Sequence, residues 1–271
     1  MDILETIAAH KRVEVEQLRR SRSSGATPMH RDRPFHSMRH ALESSSTGII
    51  AEFKRRSPSK GWIHEEARVA GVLPSYERAG ATACSILTDN RFFGGTLNDL
   101  VEAGRCTPLP LLRKDFIIDE LQIEEACEAG ADAVLLIAAL LTREECCRLT
   151  ASAHALGLEV LLEIHSLQEL GRVEAQVDML GVNNRNLGTF VTDVNNSYKL
   201  AAAVRGAARA EGAPLLVSES GLSLPLTVSH LRAQGYRGFL MGEAFMKEPC
   251  PGDALAQFIC ELKKTEKNHE N

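Results

Sequence analysis

Glu52 and Lys54 stand two residues apart in the stretch AEFKRRSPSKG (51–61), directly behind the apolar run Gly48-Ile49-Ile50. If that run is a strand, alternation puts Glu52 and Lys54 on one face and Phe53 on the other. A carboxylate and an ammonium are costly to bury unless they pair or meet a ligand, so the two are candidates for moving protons. The following loop offers Arg55, Arg56, Ser57, Ser59 and Lys60 to an anion, with Pro58 stiffening it and Gly61 freeing its backbone. The plainer alternative is a charge run that solvates a loop.

Polar groups end other apolar runs in the same way. LPLLRKDF closes on Arg113, Lys114 and Asp115, and LEVLLEIH holds Glu163 in apolar company. MLGVNNRNL ends in Asn183, Asn184 and Arg185, LLVSESG in Ser218, Glu219, Ser220 and Gly221, and FLMGEAF in Gly242 and Glu243. Singly, each has a structural explanation: Glu163 salt-bridged to Lys114, Asn183 in a turn, Ser220-Gly221 capping a helix with Ser223. Their recurrence at six strand ends favours one shared site.

The elements that must position them follow a rhythm. A helical segment ends in a small residue and glycine, then an apolar run begins, as in YERAGATACSILT (76–88), ACEAGADAVLLIA (126–138), AHALGLEVLLEIH (153–165) and LRAQGYRGFLMGE (231–243). Gly80, Gly130, Gly157 and Gly235 suit the left-handed position that closes a helix. The runs predict strands near 48–53, 82–88, 109–113, 132–137, 158–163, 178–182, 214–218 and 237–241, with helices in the intervals. Eight such units indicate an α/β chain built as a (β/α)₈ TIM barrel, whose chemistry lies at the carboxyl ends of its strands. A doubly wound open sheet is the rival, but no GxGxxG follows the first strand. Residues 1–47 read as an N-terminal helical extension, with a charged helix over 3–20, a polar linker over 21–34 and a short helix near 34–42. The barrel is expected over 48–265 and a polar tail over 266–271.

Composition limits the function. With 44% hydrophobic and 25% charged residues among 271, the chain can bury a full core. Its net charge of -5 argues against a general nucleic-acid binder. No apolar run approaches a membrane span, and the N-terminus has no signal-peptide core, so a cytoplasmic location without membrane contact is expected. The seven cysteines include no CxxC pair, and the nine histidines no metal-ligand spacing, so neither disulfides nor a metal site is expected.

Two subsites can be drawn on the barrel rim. Ser220-Gly221 and Gly242-Glu243 offer backbone amides beside helix starts to a phosphate, with Lys54 within reach of that phosphate or of sugar hydroxyls. Phe93, Phe116 and Pro58 can hold a flat ring, and Arg185 can clamp a carboxylate. A phosphorylated sugar joined to an aromatic acid fits both halves.

AEFKRRSPSKG, LLRKDFIID, LLEIHS, GVNNRNLGTF, SESGL and GFLMGEAFM, in this order and spacing, strongly resemble the indole-3-glycerol-phosphate synthase family of tryptophan biosynthesis. The resemblance runs from about residue 48 to 247. It implies a (β/α)₈ barrel that uses no metal or organic cofactor. The implied reaction closes the ring of 1-(2-carboxyphenylamino)-1-deoxyribulose 5-phosphate with loss of carbon dioxide and water. By matching motif, Lys114 is the general acid on the ribulose carbonyl oxygen. Glu163, Lys54 and Glu52 share the later acid-base steps, and Asn183 orients the substrate hydroxyl or Glu163. Arg185 takes the anthranilate carboxylate, and Ser220, Gly221 and Gly242 the phosphate, with Ser57, Leu187 and Leu240 completing the binding set. Burial and Lys54 are expected to lower the Lys114 pKa and Glu163 to hold it up. Some members carry serine at the position of Glu243, so only its backbone amide is expected at the phosphate. The expected partner is the small-molecule substrate alone, with the chain a monomer or weak homodimer. Two rivals remain: phosphoribosylanthranilate isomerase, which wants a Cys/Asp pair that Cys84 and Cys106 do not supply, and a non-catalytic phosphosugar sensor.

Overall fold

Eight apolar runs become eight parallel strands because both of their faces are covered, one by the barrel's own interior and the other by helices. The computed structural model describes residues 3–25, 31–172, 176–186, 188, 191–207 and 213–270. In chain order the barrel strands are β1 (Ile49–Phe53), β4 (Ala83–Leu87), β5 (Leu111–Lys114), β6 (Ala133–Ile137), β7 (Glu159–Ile164), β8 (Met179–Asn183), β9 (Leu215–Glu219) and β10 (Gly238–Met241). Each pairs with its sequence neighbours, and β1 closes the ring against β10. The chain is a (β/α)₈ barrel. Gly80, Gly130, Gly157 and Gly235 all take the left-handed backbone expected of them, with φ between 73 and 100°.

Strand alternation sorts the side chains into two cores. Ile50, Leu112, Leu135, Leu161, Met179, Val217 and Leu240 point inward and fill the barrel. Their neighbours Ala51, Val134, Val160, Leu180 and Leu216 point outward onto the helices. Those helices are α3 (Val69–Ala79), α5 (Leu97–Cys106), α6 (Glu120–Glu128), α7 (Arg143–Ala155), α8 (Asn195–Ala207), α9 (Pro225–Ala233) and α11 (Pro251–Glu270), with one-turn α4 (Asn90–Phe93) and α10 (Glu243–Met246) on the rim. The interval after β7 holds a 3₁₀ helix, Leu167–Arg172. The loop after β1 is not plain coil but a small antiparallel hairpin, β2 (Arg56–Ser57) with β3 (Gly61–Trp62). α11 runs on through the polar residues read above as a tail.

The N-terminal residues wrap the barrel like a strap. α1 (Ile3–Ser23) begins at the mouth and descends along α6, where Arg19 meets Asp119 at 2.9 Å and Arg22 meets Glu128 at 2.5 Å. Arg31 and Arg33 then fasten the chain to Asp132 at the start of β6. The short helix α2 (Met38–Ser44) begins four residues later than its sequence pattern predicts, because Ser37 caps it by accepting from His40 N–H. Its Met38 and Leu42 are fully buried against the barrel core and plug its floor, each worth roughly 1.5–3 kcal/mol of burial. The reacting groups are thereby confined to the opposite end.

Candidate active site

The inward parity that fills the barrel with leucine also delivers its charges. Glu52 follows Ile50 by two residues, Lys114 follows Leu112, Glu163 follows Leu161, and Glu219 follows Leu215 and Val217. All four emerge in the top layer, around a cavity of about 460 Å³. Two glycines, one within β8 and one just after β10, make room for two of the carboxylates. A Cβ on Gly181 would lie 2.2 Å from Glu219 Oε1, and one on Gly242 would lie 2.5 Å from Glu52 Oε1. Gly181→Ala should therefore displace the Glu219 carboxyl. We expect kcat to fall about 10-fold or more, with a stability loss of roughly 1–3 kcal/mol from overpacking. A variant with unchanged kcat would mean that the position of Glu219 does not matter.

At the floor the Lys114 ammonium stands 3.3 Å from Glu163 Oε2 and 3.7 Å from Glu219 Oε2. Burial works to lower its pKa, but the charges of Glu163, Glu219 and Glu52 outweigh it, and the pKa rises above the ordinary lysine value. The expected contribution of Lys54 is not what matters, because Lys54 is paired to Glu52 Oε1 at 2.5 Å. Burial likewise opposes the ionisation of Glu163. Lys114, His165 and a hydrogen bond from Asn183 overcome it and hold Glu163 well below the usual carboxylate range. Asn183 Oδ1 in turn accepts from Arg185 N–H at 2.9 Å.

Glu219 moves the other way. Burial, and then the charge of Glu163, push its pKa up to about 8 against the pull of Lys114. Neither Glu219 oxygen has a conventional hydrogen-bond partner among the described residues, yet the carboxyl is close enough to Glu163 for a mutual bond. Two ionised carboxylates cannot donate to each other, so that bond exists only while one of them holds a proton. His165 lies 3.3 Å from Glu163 and 3.5 Å from Glu169, loosely aligned contacts of charge that, against burial, raise its pKa to about 9.

These shifts set a direction for stability. Between about 4.5 and 8 the folded protein keeps a proton on Glu219 that the unfolded chain releases, so stability falls as pH rises through that window. The stabilisation from charged His165 is complete below about 6.5 and is lost as pH climbs to about 9. Denaturation midpoints should therefore drop from pH 6 to pH 9, and Glu219→Gln should flatten the lower part of that slope. An unchanged slope in the variant would rule out Glu219 as its source.

The other expected residues gather on the same rim. Ser57, Pro58, Phe93, Phe116, Arg185, Ser220, Gly221, Leu240, Gly242 and Glu243 all line the cavity beside Glu52, Lys54, Lys114, Glu163 and Asn183; Leu187 lies outside the described residues. Phe93 and Phe116 stand 5.8 Å apart, tilted towards each other. Ser220 has φ 67°, the one positive value among described non-glycine residues, and Gly221 continues the left-handed turn at 74°.

Part of the loop's cationic equipment is used elsewhere. Arg55 turns to the Gly94 carbonyl and to Asp99, and Arg56 lies over the Trp62 ring. Lys60 meets Glu243 Oε1 at 2.5 Å, and Arg185 donates to Ser59 Oγ at 2.8 Å with Glu243 Oε2 3.7 Å away. The Glu243 side chain thus faces the cavity, where the resemblance pointed to its backbone alone. Against the opposing effect of burial, Lys60 first, then Lys54 and Arg185, answer its charge and lower its pKa.

Comparison with known proteins decides the family. The family model described as indole-3-glycerol phosphate synthase matches residues 4–258. The chain belongs to the indole-3-glycerol phosphate synthase family. A Bacteroides thetaiotaomicron protein of that name is 54% identical over 263 residues, covering 95% of this chain and 98% of its own. One from Azoarcus sp. is 42% identical, covering 94% and 97%. Among solved structures, tryptophan synthase subunit alpha from Legionella pneumophila superposes with a TM-score of 0.60 at 15% identity, over 85% of this chain and 98% of that one. The 3-hexulose-6-phosphate synthase from Salmonella typhimurium gives 0.59 at 14%, over 80% and 99%. These two likenesses concern the fold alone.

Three contributors around this cavity carry no role in the sequence reading. Glu219 was legible as an inward carboxylate in LLVSES by the same period of two that marks Glu163. His165 follows Glu163 by two residues as well. Ile3, Leu4 and Ile7 of α1 also line the cavity, and no local signal could show that a helix so distant in sequence returns to the mouth.

Proposed function

We propose that this member of the family closes the ring of 1-(2-carboxyphenylamino)-1-deoxyribulose 5-phosphate, forming indole-3-glycerol phosphate, carbon dioxide and water, with Lys114 as the principal acid. One observation carries the assignment: a partly buried ammonium flanked by two buried carboxyls of opposite protonation tendency, facing a cavity lined by both polar and apolar side chains.

As the aryl carbon attacks the ribulose C2, negative charge builds on the carbonyl oxygen, and the Lys114 ammonium supplies a proton there. Departure of the carboxylate as carbon dioxide then restores the aromatic ring. Dehydration needs a proton on the leaving hydroxyl and another removed. Glu163, ionised at rest and oriented by Asn183, relays a proton from the protonated Glu219 to the intermediate's leaving hydroxyl. The Glu52–Lys54 pair shuttles the second proton, and Glu219, protonated at neutral pH, is that donor beside Lys114. Phe93, Phe116 and Pro58 hold the ring and Arg185 takes the carboxylate, with Ser57 and Leu240 completing the binding set. The Ser220-Gly221 turn and the Gly242 and Glu243 amides take the phosphate. Glu243's own charge is neutralised by Lys60 and Arg185, so it need not repel that phosphate.

No described helix is long and apolar enough to cross a membrane, and all seven cysteines are free thiols, which supports a cytoplasmic enzyme. It acts as a monomer or weak homodimer, with residues 1–47 as an extension of the barrel over 48–265. The test is a steady-state assay with the carboxyphenylamino-deoxyribulose phosphate in the absence of added metal, following growth of indole fluorescence. A folded protein that binds the compound and forms no indole would reduce the site to a binding pocket.

A further inference from the structure

Lys11, one turn beyond Ile7 on α1, has its side chain 2% exposed. Its ammonium meets Asp115 Oδ1 at 2.8 Å, Asp89 Oδ2 at 2.9 Å and Glu14 Oε2 at 2.8 Å. Burying a lysine is costly, and three carboxylates are more than one charge needs for compensation. Two of them belong to separate walls of the cavity. Asp89 caps α4, its Oδ1 accepting from the N–H groups of Phe92 and Phe93 at 2.7 and 3.2 Å. Asp115 directly follows Lys114; its Oδ1 accepts from Phe116 N–H at 2.8 Å, and its Oδ2 from Thr88 at 2.6 Å and Arg113 at 3.1 Å. The third wall is α1 itself, where Ile3, Leu4 and Ile7 reach the cavity.

We propose that Lys11 is a positioning residue for the aromatic half of the substrate, one ammonium holding α1, the Phe93 turn and the Lys114–Phe116 corner in register around a flat ring. This rests on the ring binding between Phe93 and Phe116, as in the reading above. Apolar contacts alone could keep α1 on the barrel, but they fix its depth and rotation poorly. A charge that must satisfy two rigidly held carboxylates fixes both. Lys11 touches no substrate atom in this scheme; it sets the distance between the surfaces that do.

The test compares wild type with Lys11→Met and Asp89→Asn, using two probes: the substrate with its ketone reduced to an alcohol, and ribulose 5-phosphate, which lacks the ring. Calorimetric titration of Lys11→Met should show about a 10-fold or greater loss of affinity for the reduced substrate and no more than about a 2-fold change for ribulose 5-phosphate. In turnover, KM should rise by more than kcat falls. Asp89→Asn leaves Lys11 with two carboxylates and should give a smaller shift in the same direction, which carries the test if Lys11→Met does not fold. Equal losses for both probes, or none for either, would overturn the inference. Should wild type itself bind ribulose 5-phosphate but not the reduced substrate, the placement of the ring fails first, and separately from the role of Lys11.

Discussion

Lys114→Ala should reduce turnover by about 10³-fold or more while the folded protein still binds the aromatic phosphosugar. The ammonium stands between two inward carboxyls, at 3.3 and 3.7 Å, and its raised pKa keeps it charged across the working range. Removing it leaves in place the proposed phosphate and ring subsites, which draw on the loops after β9 and β10, on α4, and on Phe116 and α1. The variant also leaves the Glu163–Glu219 pair with His165 as its neighbouring cation and without the pull of Lys114, so Glu219 should hold its proton to higher pH. Single-turnover assays, calorimetric titration and a proton-uptake measurement check all three consequences. If turnover survives within 10-fold of wild type, Lys114 is not the principal acid.

Glu163→Gln should lower kcat by roughly 10²- to 10³-fold with a smaller change in KM. Glutamine keeps the shape and can still meet Asn183, but it cannot accept a proton or balance Lys114. Its effect should extend to Glu219, whose pKa is raised partly by the Glu163 charge. With that charge gone, Glu219 should lose its proton at lower pH, visible as an earlier disappearance of the carboxylic-acid infrared band. The sign is fixed because a like charge disfavours ionisation of its neighbour. A kcat within about 3-fold of wild type would remove Glu163 from the proton-transfer steps. A Glu219 titration that does not move would instead show that burial alone sets its pKa.

The barrel could be read before any coordinates because its signals are local. Gly80, Gly130, Gly157 and Gly235 each close a helix before an apolar run, and a run covered on both faces has no polar alternation to hide it. The same period of two exposes Glu52, Lys114 and Glu163 as inward charges. Glu219 obeys it equally, but the Ser220-Gly221 pair that follows it draws that stretch towards a phosphate role. Arg55 and Arg56 misled in the opposite sense. A guanidinium can serve an anion or hold a loop together, and composition is blind to whether Asp99 or Trp62 stands within reach. The side chain of Glu243 is a similar case, since its partners Lys60 and Arg185 come from two other loops.

The strand count, the inward or outward sense of each strand residue and the reaction class are therefore legible along the chain, since all of them depend on neighbours a few positions away or on ordered motifs. Tertiary structure alone decided which charges answer one another. Lys114 sits between Glu163 and Glu219, 49 and 105 residues on, and a pKa depends on distances of a few ångströms that no spacing along the chain encodes. It also decided that α1 returns to the mouth and that Lys11 ends between Asp89 and Asp115. A closed barrel brings distant segments to one rim, and the electrostatics of that rim exist only once the ring has closed.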